Sequence, residues 1–237
     1  MKLSFSVMFA CALFVGSIWM ADSLQAAPDA AKKPAASGEE KAEKNPLEAK
    51  APPVAPEKIL TQQSTDIVLG QATAPVTMFE YSSLSCPHCA HFHQKILPVL
   101  QKDFIDSGKV KLVIRQFPTS ASALQAALLV RCLPPTQGLK FEEVLFELQD
   151  RWAFTTNSRD ALLKIAQVGG VSEAQFNACL DDKSAESALL ADLISVRDNL
   201  GVKATPTFFI GTDEIQGAQT PEEFSKHIQA ALAKLKP

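Results

Sequence analysis

Cys86-Pro87-His88-Cys89 lies between a β-like run, residues 76–81, and a helix-like run that begins near Ala90. This order predicts a strand, a short link and a helix with Cys86 at its start. Pro87 suits the first helical turn, where its missing N–H costs no hydrogen bond. The free N–H groups and the dipole at a helix start favour negative charge, so a thiol at this position ionises more easily.

Cys89 follows Cys86 by three positions and shares its face of the helix. It can close a disulfide with Cys86, or attack a mixed disulfide formed there. His88, when protonated, adds a positive charge beside the sulfur and should lower the pKa of Cys86 further. A reduced form stabilised in this way makes the disulfide a stronger oxidant. The motif therefore predicts a redox-active pair with Cys86 as the nucleophile.

Two other interpretations of the motif compete with redox chemistry. The pair could hold zinc with His91 or His93, but a structural zinc site usually takes its second pair of ligands from another segment, and no second C-x-x-C exists. A purely structural disulfide would close a very small loop and add little stability. We therefore predict no metal site and no cofactor, and expect His91 and His93 to be surface or packing residues.

The chain has 237 residues, a net charge of −3 and an apolar fraction of 46%, which give no sign of nucleic-acid binding. Residues 1–26 have the pattern of a signal peptide: a positive start at Lys2, an apolar run to residue 21 and small residues near 23–27. An uncleaved membrane anchor is the alternative. Either one places the rest of the chain outside the cytoplasm, where disulfides persist.

Residues 27–58 are rich in Pro, Ala, Lys and Glu and contain few large apolar side chains. Such a segment buries too little surface to offset its ordering entropy, so we predict a disordered spacer. The folded domain is expected over residues 59–237.

The order of strand-like and helix-like runs within this domain predicts an α/β fold. Strand-like runs at residues 76–81 and 109–117 flank the helix after Cys89, which should kink at Pro98. Their β–α–β order predicts parallel strands. Helical patterns fill residues 120–200, and a hairpin at residues 206–216 precedes a last helix that begins near Thr220. The chain thus divides into a βαβ half, a helical insert and a ββα half.

This organisation resembles the thioredoxin superfamily and, within it, the DsbA family of exported thiol oxidases. The likeness covers roughly residues 60–237 and leaves out the spacer and two further cysteines. It is carried by the stretch from Pro75 to Tyr81, the C-x-x-C motif, the helical insert and the segment Gly201-Val202-Lys203-Ala204-Thr205-Pro206-Thr207-Phe208-Phe209-Ile210.

The resemblance assigns roles to individual residues. It implies a strongly lowered pKa for Cys86, and a cis-proline, Pro206, facing the active-site disulfide. The backbone of Thr205 would then pair with an extended substrate. Glu80 would be a buried carboxylate that handles the proton of Cys89. Without the resemblance, two alternatives stay open: Pro206 could be an ordinary trans-proline, and Glu80 could face the solvent.

The leading hypothesis is a periplasmic enzyme that donates the Cys86–Cys89 disulfide to reduced exported proteins, with a form tethered to the inner membrane as the alternative. By resemblance, a DsbB-like membrane partner linked to quinone would reoxidise it. Thr205 keeps a second hypothesis open, that of a disulfide isomerase or reductase, because isomerases of this superfamily and some oxidases carry threonine there, whereas many DsbA-type oxidases carry valine. A metal-binding or chaperone-like module is the third. Contact with a membrane is expected only if the N-terminal segment is not cleaved.

Two further cysteines, Cys132 and Cys179, remain in the helical insert. Four cysteines follow the leader, and the C-x-x-C pair uses two of them, so we predict a structural disulfide between the others. The helical patterns place both on apolar faces, so the bond should be buried. The alternative is two separate buried thiols.

Overall fold

Residues 46–211 and 213–235 are described by the computed structural model, so the predicted leader at residues 1–26 lies outside them. Within these ranges, five strands form one sheet in the order β1-β3-β2-β4-β5. The strands are β1 (Ile67–Leu69), β2 (Val76–Ser82), β3 (Val110–Gln116), β4 (Thr207–Ile210) and β5 (Asp213–Gln216).

Strands β2 and β3 are parallel, and β4 and β5 form an antiparallel hairpin beside β2. The predicted βαβ and ββα halves and the thioredoxin-like α/β fold are confirmed. Strand β1 pairs with the outer edge of β3 in antiparallel fashion.

The helix between β2 and β3 is continuous from Pro87 to Ile105 but contains two π-helical turns. It consists of α2 (Pro87–His91), a π-helical turn (Phe92–Ile96), α3 (Leu97–Leu100) and a second π-helical turn (Gln101–Ile105). The predicted irregularity at Pro98 takes this form, because a π-helical turn accommodates a position where the proline cannot donate a hydrogen bond.

Six helices connect β3 to β4 and form the helical insert, and the chain closes with α10 (Pro221–Lys234). The insert consists of α4 (Ala121–Cys132), α5 (Pro135–Glu147), α6 (Gln149–Trp152), α7 (Ser158–Val168), α8 (Glu173–Asp181) and α9 (Lys183–Asn199). A short helix, α1 (Pro56–Ile59), precedes β1.

The two faces of the sheet carry separate cores because strand side chains alternate between them. Met78 of β2 packs with Phe92 and with Phe224 of α10 on one face. Phe79 of β2 packs with Leu193 of α9 on the other. Glu80 follows Met78 by two positions and therefore lies on the face of the active-site helix.

The structure differs from the predicted spacer at residues 46–58, which we call the N-terminal strap. The strap lies along the end of α9, and Val54 packs at the edge of the second core. Polar groups of α9 replace the apolar surface that the strap lacks. Its hydrogen bonds join Arg197 to the carbonyls of Leu47 and Ala49 (2.7 and 2.9 Å), Asp198 to the N–H of Ala51 (2.8 Å), and Asn199 to the backbone of Pro52 and Val54 (3.2 and 3.1 Å).

None of the helices within residues 46–211 and 213–235 combines the length and the apolar character needed to cross a membrane.

Candidate active site

Cys86 and Cys89 occupy the first turn of α2 as free thiols. Cys86 is the N-cap residue, Pro87 is the first helical residue, and the side chain of Cys86 is partly exposed. Cys89 is fully buried, and the N–H of Ser83 lies 3.5 Å from its sulfur. The two sulfurs therefore differ in access, and only Cys86 is open to a polypeptide substrate.

The environment of Cys86 favours its thiolate. The hydrogen bond with the Cys89 thiol lowers the pKa of Cys86 to about 5, against the effect of partial burial. The side chain of Thr205 and the backbone N–H groups of His88 and Cys89 lower this pKa further. His88 is solvent-exposed.

Cys89 has the opposite tendency. Burial raises the pKa of its thiol, and the hydrogen bond to Cys86 and the charge of Glu80 act in the same direction. At neutral pH the pair therefore holds one thiolate and one thiol, with the charge on the exposed sulfur.

The loop before β4 faces the nucleophile. The Thr205–Pro206 peptide bond is cis, and the Cys86 thiol donates a hydrogen bond of 3.2 Å to the Thr205 carbonyl oxygen. Thr205 is partly exposed, whereas Pro206 is buried. The structure thus brings these two residues to the C-x-x-C motif; their role in substrate binding stays a prediction.

Glu80 is fully buried and pairs with a residue that the sequence did not assign to the site. The His93 Nε2 atom lies 3.0 and 3.1 Å from the two carboxylate oxygens of Glu80. Burial opposes a charge on His93, but the Glu80 carboxylate outweighs it and raises the pKa of the imidazole. The expectation of a surface or packing role holds for both histidines, since His91 is exposed and His93 stacks on the ring of Phe146; the ion pair of His93 with Glu80 was not predicted. The predicted transfer of the Cys89 proton to Glu80 stays a prediction.

A second buried carboxylate, Glu142 of α5, belongs to the same cluster. Its Oε1 atom accepts a hydrogen bond of 2.9 Å from Gln116, whereas Oε2 has no partner among the described residues. Burial raises the pKa of Glu142 to about 7; the charge of Glu80 adds to this effect, and that of His93 opposes it. The core below Cys89 thus contains two carboxylates and one imidazole.

Hydroxyl and amide groups fix the loop before Cys86. The Ser83 and Ser85 hydroxyls each lie 2.9 Å from a hydroxyl of the loop after β3, on Thr119 and Ser120. Gln149 of α6 donates to the carbonyls of Leu84 and Cys86, at 2.7 and 3.1 Å. These supports were not predicted, because they join segments far apart in the sequence.

Cys132 and Cys179 are joined by a disulfide between the ends of α4 and α8. Cys179 is buried with 2% exposure, but Cys132 is exposed, and the expectation that both point inward is wrong for Cys132. Cys132 is the last residue of α4, where the helix reaches the surface before Leu133.

We expect Glu142→Gln to weaken the pH dependence of stability. A carboxyl whose pKa is raised on folding stabilises the fold below its unfolded pKa of 4.5, and this contribution is lost as the pH rises to about 7. The free energy of unfolding should then fall by at most about 3 kcal/mol over this window. Urea unfolding at several pH values measures the slope.

The matched control for that experiment is Glu143→Gln, because Glu143 is the exposed neighbour on the same helix. It should keep the wild-type slope. An equal slope for the wild type and Glu142→Gln would show that Glu142 is ionised throughout.

The chain is similar in sequence to a known protein family and to several named proteins. A family model described as thioredoxin matches residues 62–230. A Rickettsia prowazekii protein, provisionally named a protein-disulfide oxidoreductase, is 33% identical over 189 residues, which are 79% of this chain and 68% of the relative. The chain covers 61% of a similarly named Rickettsia typhi protein, at 34% identity. Disulfide bond formation protein D of Bacillus subtilis is 28% identical over 173 residues, 70% of this chain and 76% of the relative.

Solved structures give the same result. Wolbachia pipientis α-DsbA1 superposes with a TM-score of 0.69 and 29% sequence identity, covering 75% of this chain and 96% of that protein. Oxidised BdbD of Bacillus subtilis has a TM-score of 0.65 and 26% identity, covering 78% of this chain and all of that protein. With its C-x-x-C pair at the start of a helix and a cis-proline opposite, this chain belongs to the thioredoxin superfamily and, within it, to the DsbA-type thiol:disulfide oxidoreductases.

Proposed function

We propose that the protein donates the Cys86–Cys89 disulfide to reduced proteins outside the cytoplasm. The observation that carries the proposal is the asymmetry of the pair: an accessible sulfur whose pKa is lowered to about 5 beside a buried thiol. A stabilised thiolate favours the reduced form of the enzyme, and the oxidised form is then a strong electron acceptor.

The reaction proceeds by two exchanges. A substrate thiolate attacks the Cys86 sulfur, the Cys86–Cys89 bond breaks, and Cys89 leaves as a thiolate that takes up a proton. A second substrate thiolate then attacks the substrate sulfur of the mixed disulfide and releases the Cys86 thiolate. The substrate loses two electrons and gains a disulfide, and the enzyme becomes a dithiol. We propose that Glu80 supplies the proton to Cys89.

We also propose that this protein is exported. The leader pattern at residues 1–26, followed by the predicted spacer up to the strap, supports delivery to the periplasm, with the anchored form as the alternative. A DsbB-like membrane protein linked to quinone would restore the disulfide. Mass spectrometry of the N-terminus of the exported protein distinguishes cleavage near residues 23–27 from retention of the anchor.

Thr205 supports a second candidate function, that of an isomerase or reductase, because isomerases of this superfamily carry threonine before the cis-proline, and the carbonyl oxygen of Thr205 lies 3.2 Å from the sulfur of Cys86. The reduction potential, measured by equilibration with glutathione, separates the candidates when combined with refolding of a scrambled substrate. A potential above that of the glutathione pool, with oxidation of reduced substrate, supports the donor. A low potential with efficient unscrambling contradicts it. Metal analysis of purified protein tests the third candidate, a metal-binding or chaperone-like module.

We expect His88→Leu to make the protein a weaker oxidant. The backbone N–H of residue 88 still reaches the sulfur in this variant, so the change removes only the imidazole. Loss of a basic side chain near the thiolate should raise the pKa of Cys86 by roughly 0.5 to 1 unit. The ultraviolet absorbance of the thiolate, followed against pH, measures the shift.

His91→Leu is the matched control, since His91 is exposed one turn further along the helix. It should leave the titration of Cys86 unchanged. An unchanged titration in His88→Leu would instead remove the imidazole from the mechanism.

A further inference from the structure

A groove of about 850 Å³ lies in the helical insert, between α5, α6 and α7. We call it the insert groove. Apolar side chains form much of its lining, among them Phe141, Leu148 and Ile165. Val144 and Val168, also in the lining, expose 38% and 91% of their surface. Exposed apolar side chains in a concave site of this volume are typical of a binding site.

Basic side chains surround this apolar lining. Lys140, Arg151 and Lys164 line the groove, and all three are exposed. Within residues 46–211 and 213–235, the side chains of these three residues make no hydrogen bond and no ion pair. The groove also contains one carboxylate, Asp160, which accepts a hydrogen bond of 2.6 Å from Asn157. Three positive side chains and one negative one give the lining an excess of positive charge, and a complementary ligand carries negative charge.

The groove shares a wall with the active site. Leu148 and Arg151 line the groove on either side of Gln149. Gln149 itself donates hydrogen bonds to the carbonyls of Leu84 and Cys86. Gln149 of α6 thus supports the loop of the reactive cysteine, while Leu148 and Arg151 beside it line the groove. A peptide bound in the groove would therefore contact the same short helix that supports the nucleophile.

We propose that the insert groove binds segments of unfolded polypeptide in which apolar side chains alternate with carboxylates, and that it favours substrates carrying such a segment near a cysteine. This inference rests on the proposed function, because it names the substrate class of the same site. A concave groove between helices suits an inserted peptide, whereas a lipid surface would require a protruding apolar face.

The test uses a fluorescent, cysteine-free peptide of about 12 residues that alternates leucine with glutamate, and a counterpart with lysine in place of glutamate. Fluorescence anisotropy measures Kd for both. The full mature chain should bind the acidic peptide and not the basic one. Lys140→Glu/Lys164→Glu should raise Kd for the acidic peptide by about three- to thirtyfold, and Lys140→Gln/Lys164→Gln should give a smaller increase.

Lys95→Glu/Lys102→Glu is the matched control, because both lysines are exposed on the active-site helix and lie outside the groove lining. It should keep the wild-type Kd. Equal binding of the two peptides, or an unchanged Kd in the groove variants, overturns the proposal. Binding of phosphatidylglycerol vesicles without binding of either peptide would assign the surface to lipid instead.

This readout is independent of the redox reaction, since the peptides contain no cysteine. If the wild type fails to oxidise reduced proteins but binds the acidic peptide in the groove, the proposed function fails and the groove stands as a peptide site. If oxidation proceeds but neither peptide binds, the inference about the groove fails alone.

Discussion

Cys86→Ala should reduce the oxidation of a reduced peptide to its uncatalysed rate, whereas Cys89→Ala should accumulate mixed disulfides with substrate. The physical reason is access: Cys86 is partly exposed with its pKa lowered to about 5, and Cys89 is fully buried. Without Cys86 no sulfur is available to the substrate. Without Cys89 no thiol lies behind the mixed disulfide to release it.

Non-reducing electrophoresis after incubation with an oxidised peptide measures the trapped species, and addition of dithiothreitol should release it. Alkylation of the reduced wild type at mildly acidic pH provides a second measurement. Because the pKa of Cys86 lies near 5 and burial raises that of Cys89, only Cys86 should react. Faster alkylation of Cys89 would reverse the assignment of the nucleophile.

Cys132→Ala should lower the free energy of unfolding by about 3–4 kcal/mol, since it opens a cross-link between residues 47 positions apart. The alternative of two separate thiols predicts a different result. Cys132 is exposed, so replacing a free thiol there should change stability by no more than about 0.5 kcal/mol. Urea unfolding of the oxidised protein distinguishes the two.

Cys132→Ala/Cys179→Ala is the informative comparison, because the cross-link can be lost only once. Apart from the small loss of buried volume at Cys179, the double variant should resemble the single variant. Peptide mapping without reductant should recover the two cysteines as one linked pair. Recovery of both as alkylated free thiols from native protein would contradict the disulfide.

The central part of the site could be predicted because its signals are local. A β-like run, C-x-x-C and a helical pattern follow one another directly, so the position of Cys86 at a helix start needed no long-range contact. The parallel pairing of β2 and β3 followed from the β–α–β order. Glu80 also obeys a local rule, since it continues the alternation of Val76 and Met78.

The buried partners of Glu80 could not be predicted with the same certainty. His93 follows Cys89 by four positions and shares its helix face, but the sequence predicted only a surface or packing role for it. Glu142 lies next to Glu143, and the spacing from Gly138 and Leu145 indicates which of the two faces inward. A carboxylate in a buried position contradicts the ordinary pattern of an amphipathic helix, and the groups that favour its charge, Gln116 and His93, come from other segments of the chain.

The prediction of a disordered spacer fails at the strap for a related reason. Composition identified a segment with little apolar surface, but its partners are three consecutive side chains about 150 residues away, Arg197, Asp198 and Asn199. No periodicity within the strap reports contacts of that kind. The same limit applies to Cys132, whose exposure depends on where α4 ends.

The arrangement of the strap has a mechanical consequence. Its contacts with α9 follow one another in order, Leu47 and Ala49 with Arg197, then Ala51 with Asp198, then Pro52 and Val54 with Asn199. A pulling force applied ahead of residue 46 therefore loads these bonds one after another, as in peeling, and not all at once. Each bond opens at low force and can close again behind the next. The strap would extend in steps while the hydrogen bonds of the sheet and of the C-x-x-C helix stay intact.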